Sequence, residues 1–91
     1  MKTYLISYDL VDKSFYDYER LIKYIKEYSY WAKPLESTWL IKTDKIVSTV
    51  RDELKRNVSG NDKIFVIEVT GANWASFNLS SNVTDWLKNN L

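Results

Sequence analysis

Cysteine and histidine are both absent from these 91 residues. Without cysteine there is no disulfide framework, no thiolate zinc site and no sulfur nucleophile. Without histidine, the commonest general base and the commonest metal ligand are missing. Ser-His and Cys-His hydrolases are thereby excluded, and so is a His-liganded zinc centre. Glycine occurs only twice and proline once, so there is no glycine-rich loop to cradle a nucleotide phosphate. An excess of one charge is lacking as well. The 13 Lys+Arg stand against 12 Asp+Glu, a net charge of +1. That argues against coating DNA or RNA by bulk charge and leaves phosphate contacts to a local patch. No apolar run approaches the ~20 residues that cross a bilayer. Met1-Lys2-Thr3-Tyr4 runs straight into a strand pattern, with no apolar stretch of signal-peptide length. These absences set the expectation of a cytoplasmic protein with no membrane partner.

What is present favours folding. Hydrophobic residues make up 45% of the chain and aromatics 15%, far from the signature of disorder. The length is that of one domain, spanning residues 1–91. A domain of this size buries only about 60–65% of its unfolded surface, so its core is thin. Seven Tyr and four Trp are more than such a core hides. A homodimer interface is the simplest second place for side chains that join apolar area to a polar tip.

Periodicity divides the chain. Tyr4 to Leu10 reads as a strand, with Leu5, Ser7 and Asp9 on one face and Tyr4, Ile6 and Tyr8 on the other. Val11 to Phe15 is a polar connection. From about Tyr16 to Tyr28 the period becomes helical, with Tyr18, Leu21, Ile22, Ile25 and Tyr28 in one stripe. Asp17 suits the first turn of that helix. Tyr30 to Lys33 reads as a short strand interrupted by Pro34, and Ser37 to Lys42 as a better one. Thr43 or Asp44 is placed to cap a second helix with a stripe of Ile46 or Val47, Val50, Leu54 and Val58. Gly60 stands where a helix end favours a left-handed residue. Lys63 to Val69 is the strongest strand pattern, apolar on both faces apart from Glu68, as in a strand buried on both sides. Residues 72–79 read as a loop with a short strand around Ala75 to Asn78. Ser81 or Asn82 is placed to cap a last helix with Val83, Trp86, Leu87 and Leu91 inward.

The order is β-α-β-β-α-β with an additional C-terminal strand/helix segment. The fold class expected is α+β, ferredoxin-like, with both long helices on one face of a four-stranded sheet. The other face must be covered by a second protomer or by the C-terminal segment.

Two stretches carry a family resemblance. The opening Tyr4-Leu5-Ile6-Ser7-Tyr8-Asp9-Leu10 resembles the first strand of CRISPR-associated protein two, which ends in an aromatic-Asp-apolar triplet. Glu36-Ser37-Thr38-Trp39-Leu40 resembles its strand before the second helix. The VapD toxins, which are ribonucleases, look similar in the same two places. Small uncharacterised SinR-like proteins resemble the chain over its whole length. The resemblance implies a homodimer of ferredoxin-like domains with facing sheets, whose first-strand aspartates share a divalent metal. Carried over, Asp9 is the metal-binding carboxylate, Ser37 a nearby polar residue and Mg²⁺ the cofactor. The chain departs from the family in lacking an Arg-rich start to its first helix, where only Arg20, Lys23 and Lys26 remain, and in its Trp74, Phe77 and Trp86 ending.

Each candidate also has a plain structural reading. Asp9 is a carboxylate able to hold Mg²⁺ beside phosphate oxygens, or a residue that ends a strand and caps a loop. Asp12 reads as a solvated loop residue. With no histidine to activate it, Ser37 is a poor nucleophile and reads as a hydroxyl at a strand edge or a phosphate donor. Arg20, Lys23 and Lys26, and the second cluster Arg51, Lys55 and Arg56, are phosphate-binding candidates. Both sets are interleaved with acids such as Glu19, Glu27, Asp52 and Glu53, as on a solvated face. Tyr24, Tyr28, Tyr30, Trp31 and Trp39 are able to stack bases, although packing is the commoner use. The expectation is a metal-dependent nuclease-like homodimer acting on RNA or DNA through Asp9 and Ser37. The alternative is a non-catalytic dimeric module of the same fold that binds nucleic acid or protein.

Overall fold

The computed structural model describes residues 1–11 and 15–91, with side chains for all of these except Phe15, Tyr16 and Asp17. The expectations for Asp12 and for the side chain of Asp17 lie outside the described residues. Seven elements follow in the order β1 (Lys2–Asp9), α1 (Phe15–Ile25), β2 (Tyr30–Leu35), β3 (Thr38–Thr43), α2 (Val47–Lys55), β4 (Lys63–Glu68) and α3 (Ser81–Asn90). The strands form one sheet in the order β2-β3-β1-β4, every neighbouring pair antiparallel. The chain therefore crosses from β1 through α1 to β2 with β3 between them, and from β3 through α2 to β4 with β1 between them. The class is α+β.

Alternation along β1 decides which residues meet the helices. Tyr4, Ile6 and Tyr8 join Leu10, Trp39 and Ile41, with Leu21 and Ile25 from α1 and Val50 and Leu54 from α2, in one buried cluster. Each aliphatic side chain removed from water there contributes about 1.5–3 kcal/mol. The helical stripe expected from Tyr18 to Tyr28 is this surface, although the regular helix stops at Ile25 and Tyr28 packs from the turn beyond it. Polar tips inside the cluster find partners, as buried tips must. Trp39 Nε1 donates to Tyr8 Oη at 3.1 Å, and Tyr4 Oη donates to the Lys45 carbonyl at 2.7 Å.

The opposite face carries Thr3, Leu5, Ser7 and Asp9 from β1, together with the residues that register places beside them. Leu5 stands between Leu40 and Ile67, and Ser7 between Thr38 and Phe65. The C-terminal helix covers part of this face. It packs against β2, and Thr3 Oγ1 donates to the Asn90 carbonyl at 2.6 Å. Leu87, Leu40, Ala32 and Thr3 are buried here, apart from the main cluster. The C-terminal segment is thus the cover for the β2, β3 and early β1 part of the face.

Several local expectations are corrected. The first residue outside α2 is Ile46, and no side chain caps that helix. Thr43 Oγ1 instead accepts from the Lys45 amide, and Asp44 pairs with the N-terminal ammonium at 3.4 Å. Ser80, one residue earlier than expected, caps α3 by accepting from the Val83 amide at 3.3 Å. Helix α2 ends by Arg56 in a right-handed conformation, so Gly60 is not its left-handed terminator; Gly71, with φ of 71°, is the positive-φ glycine. No strand forms around Ala75 to Asn78, and Asn78 itself takes φ of 62°. Pro34 lies within β2, where the pairing with β3 is irregular between Ala32 and Leu35, as a residue without an amide hydrogen requires. The largest correction concerns β4. It is an edge strand, as β2 is at the other side, and on the α3 side of the sheet Phe65 is 59% exposed and Ile67 43%. Its two apolar faces are not both buried, because α2 covers one of them and α3 stays over the far side of the other.

Candidate functional site

Asp9 closes β1, and its cross-strand partner on β4 is Lys63. Directly opposed residues share a face, so a carboxylate and an ammonium stand together at this end of the sheet. Asp9 is exposed, and with Ser7, Tyr8, Lys63, Ile64 and Phe65 it lines a shallow cleft of about 210 Å³. Ser37 belongs to the tight turn between β2 and β3. Thr38, the residue after it, pairs with Ser7, which brings the Ser37 turn to the same end of the sheet as Asp9. Asp62 is there as well, one residue before β4. Its two carboxylate oxygens accept from the Val11 and Ser59 amides, each at 2.8 Å. Those bonds hold its carboxyl below the usual carboxylate range.

Arg20, Lys23 and Lys26 are not part of this group. Arg20 Nη2 donates to the Arg56 carbonyl at 2.6 Å, tying α1 to the end of α2. Lys26 Nζ lies 5.5 Å from the centre of the Trp31 ring, and Lys23 is exposed in the last turn of α1. Arg20 and Lys23 ride on α1, which covers the face of the sheet opposite the one bearing Ser7 and Asp9, and Lys26 lies in the turn just beyond it. In the second basic cluster Arg51 pairs with its neighbour Asp52 at 2.9 Å. Of the aromatics named as stacking candidates, Trp39 is wholly buried, while Tyr30 and Trp31 keep 44% and 37% of their surface. Trp31 rests against Trp39 with centroids 5.4 Å apart.

Among the described residues, no three carboxylate, imidazole or thiol groups gather where a metal ion would sit. Mg²⁺ is held through one or two carboxylates beside phosphate oxygens, and Asp9 stands here with Lys63 as its cross-strand partner. The pair of aspartates that the resemblance implies would need a second Asp9 from another copy of the chain. The chain matches no protein-family model and no solved structure. The reading of this site therefore rests on its own geometry.

A second polar group lies at the other end of the sheet, and sequence patterning did not single it out. Tyr28 Oη donates to Glu53 Oε1 at 2.7 Å, and Lys45 Nζ bonds Glu53 Oε2 at 2.7 Å. The Lys45 ammonium also stands 5.5 Å from the centre of the Tyr28 ring. Burial pushes the Glu53 carboxyl up, but the bonds from Lys45 and Tyr28 outweigh it and leave the group below its ordinary range. Burial and the Glu53 carboxylate both push the Tyr28 hydroxyl up. The group joins the turn after α1 to the face of α2, and each of its polar atoms is used internally. The one signal in the sequence was Tyr28 itself, a tyrosine in a core stripe whose hydroxyl needs a partner.

Proposed function

We propose that this chain is a ferredoxin-like module that works as a homodimer through protein–protein contact and does not cleave nucleic acid. The order β2-β3-β1-β4 with antiparallel neighbours supports the ferredoxin-like class, since it is the order that two interleaved β-α-β units produce. The observation that carries the reading is β4. An outer strand whose far edge is unpaired among the described residues bears Phe65 and Ile67 exposed side by side on one face, and apolar surface of this kind marks a contact. The basic residues of α1 and α2 support a reading without nucleic acid, because they are interleaved with acids as on a solvated face and Arg20 donates to the Arg56 carbonyl within the chain.

A second reading keeps the chemistry that the resemblance implies: a metal-dependent endoribonuclease or deoxyribonuclease of the CRISPR-associated protein two type. One observation favours it. Asp9 and the Ser37 turn share an end of the sheet that α3 leaves open, so a second copy is able to bring its own Asp9 there. Such a pair would supply two carboxylates to a magnesium ion beside a phosphodiester. Two findings stand against it. Lys63 is opposed to Asp9, and α3 occupies the β2 part of the face that facing sheets would use.

Labelled RNA and DNA incubated with the protein and Mg²⁺ or Mn²⁺, beside Asp9→Ala, separate the two. The module reading expects no cleavage by either protein. Cleavage by the wild type that is lost in Asp9→Ala, with folding unchanged, establishes the nuclease.

A further inference from the structure

We infer that the partner in the homodimer is a second β4 strand, paired antiparallel edge to edge about a two-fold axis at Val66, so that the two sheets become one. This names the partner for the module reading and rests on it.

The hydrogen-bond phase of β4 sets the register. The Val69 amide donates to the Thr3 carbonyl at 2.8 Å, and pairing continues from there as Ile67 with Leu5, Phe65 with Ser7 and Lys63 with Asp9. In an antiparallel ladder, hydrogen-bonded pairs alternate with non-bonded ones. The odd-numbered residues of β4 therefore bond to β1, and Ile64, Val66 and Glu68 direct their amides and carbonyls away from the sheet. A second copy satisfies all three when Val66 meets Val66 and Ile64 meets Glu68. Each such pair exchanges both of its N–H···O bonds.

The same register places the side chains. Phe65 of one copy stands opposite Ile67 of the other, twice, in the non-bonded positions where side chains approach most closely. These are the two exposed apolar residues of the strand. On the helix side, Glu68 of the second copy comes opposite Ile64. Arg51 lines a cleft of about 270 Å³ with Ile64 and Val66 there, so an acid meets a base. The charges at the strand ends agree, because Lys63 opens β4 and Glu68 closes it. Only an antiparallel partner sets the basic end beside the acidic one. Unpaired, Lys-Ile-Phe-Val-Ile-Glu is a six-residue β-forming edge with neither proline nor glycine, which is a template for aggregation unless a defined partner takes it.

Sedimentation equilibrium of the full chain over about 1–500 μM, a range that brackets weak homodimers, tests the pairing with three proteins. The wild type is expected to dimerise. Phe65→Lys with Ile67→Lys opposes like charges twice across the axis and is expected to weaken the dimer at least tenfold. Phe65→Lys with Ile67→Glu opposes unlike charges and is expected to recover most of that loss. Both residues are exposed, so the fold survives, which circular dichroism checks. A monomeric wild type overturns both the edge pairing and the module reading. A dimer that persists in the Lys-Lys variant, or equal weakening in both variants, overturns the edge pairing alone.

Discussion

Asp9 and Lys63 stand opposite each other at the end of the β1–β4 ladder. A first-strand carboxylate that would serve a metal in a nuclease here has a lysine as its nearest cross-strand neighbour. Exposed opposite charges in such positions contribute about 0.2–1 kcal/mol. Asp9→Ala is therefore expected to cost less than about 1 kcal/mol in urea unfolding, whichever function the residue has. A larger loss would show that Asp9 holds up the fold.

Inside the main cluster the balance is different. Trp39 Nε1 has the Tyr8 hydroxyl as its acceptor in a buried site. Tyr8→Phe keeps the ring and strands the indole N–H, so it is expected to destabilise the protein by about 1–3 kcal/mol. Equilibrium denaturation measures this. A neutral outcome would mean that water reaches the indole.

The two lowered carboxyls set the response to acid. Glu53 and Asp62 both lie below their ordinary range in the folded chain. The unfolded chain therefore takes up protons at higher pH than the folded one. The stability these groups contribute is present above the usual carboxylate range and is lost as pH falls through their folded values. A melting profile against pH is expected to decline on the acid side, and Glu53→Gln with Asp62→Asn to flatten that decline. An unchanged slope in the double variant would contradict the assignment.

The C-terminal helix depends on Ser80 and Leu87. Ser80→Ala removes the acceptor for the Val83 amide and is expected to cost about 1 kcal/mol. Leu87→Ala opens the smaller core and is expected to cost about 2–5 kcal/mol. Hydrogen exchange should show α3 losing protection before β1 in both variants. Uniform loss across the sheet would mean that α3 is not a separable cover.

The strands and helices were legible because their periods are unmixed. Alternation in Tyr4 to Tyr8 and the helical stripe from Tyr18 to Ile25 each point to the same cluster that the fold buries. The caps of α2 and α3 were displaced by one to a few residues because Thr, Ser, Asp and Asn crowd both starts and compete for the same amides. The position of β4 was not legible. An apolar run with Glu68 on one face reads as doubly buried, and no local pattern reports whether a third strand lies beyond it. Nor did spacing join Tyr28 to Glu53, which stand 25 residues apart and meet only after β2 and β3 have turned the chain. At the candidate site, the aspartate was visible and its lysine neighbour was not, because register between distant strands is set by the whole sheet.

The most direct test is the distance between the two Asp9 positions in the dimer. The chain contains no cysteine, so Asp9→Cys carries one spin label per copy for a dipolar distance measurement. Pairing about Val66 sets Asp9 about 10 Å along the strand from the axis and three strand spacings from its counterpart, about 24 Å in all. A distribution centred near that value is the predicted result. A separation below about 15 Å, close enough for the two carboxylates to share an ion once linker length is allowed for, would contradict the edge-paired module and return the chain to the nuclease reading.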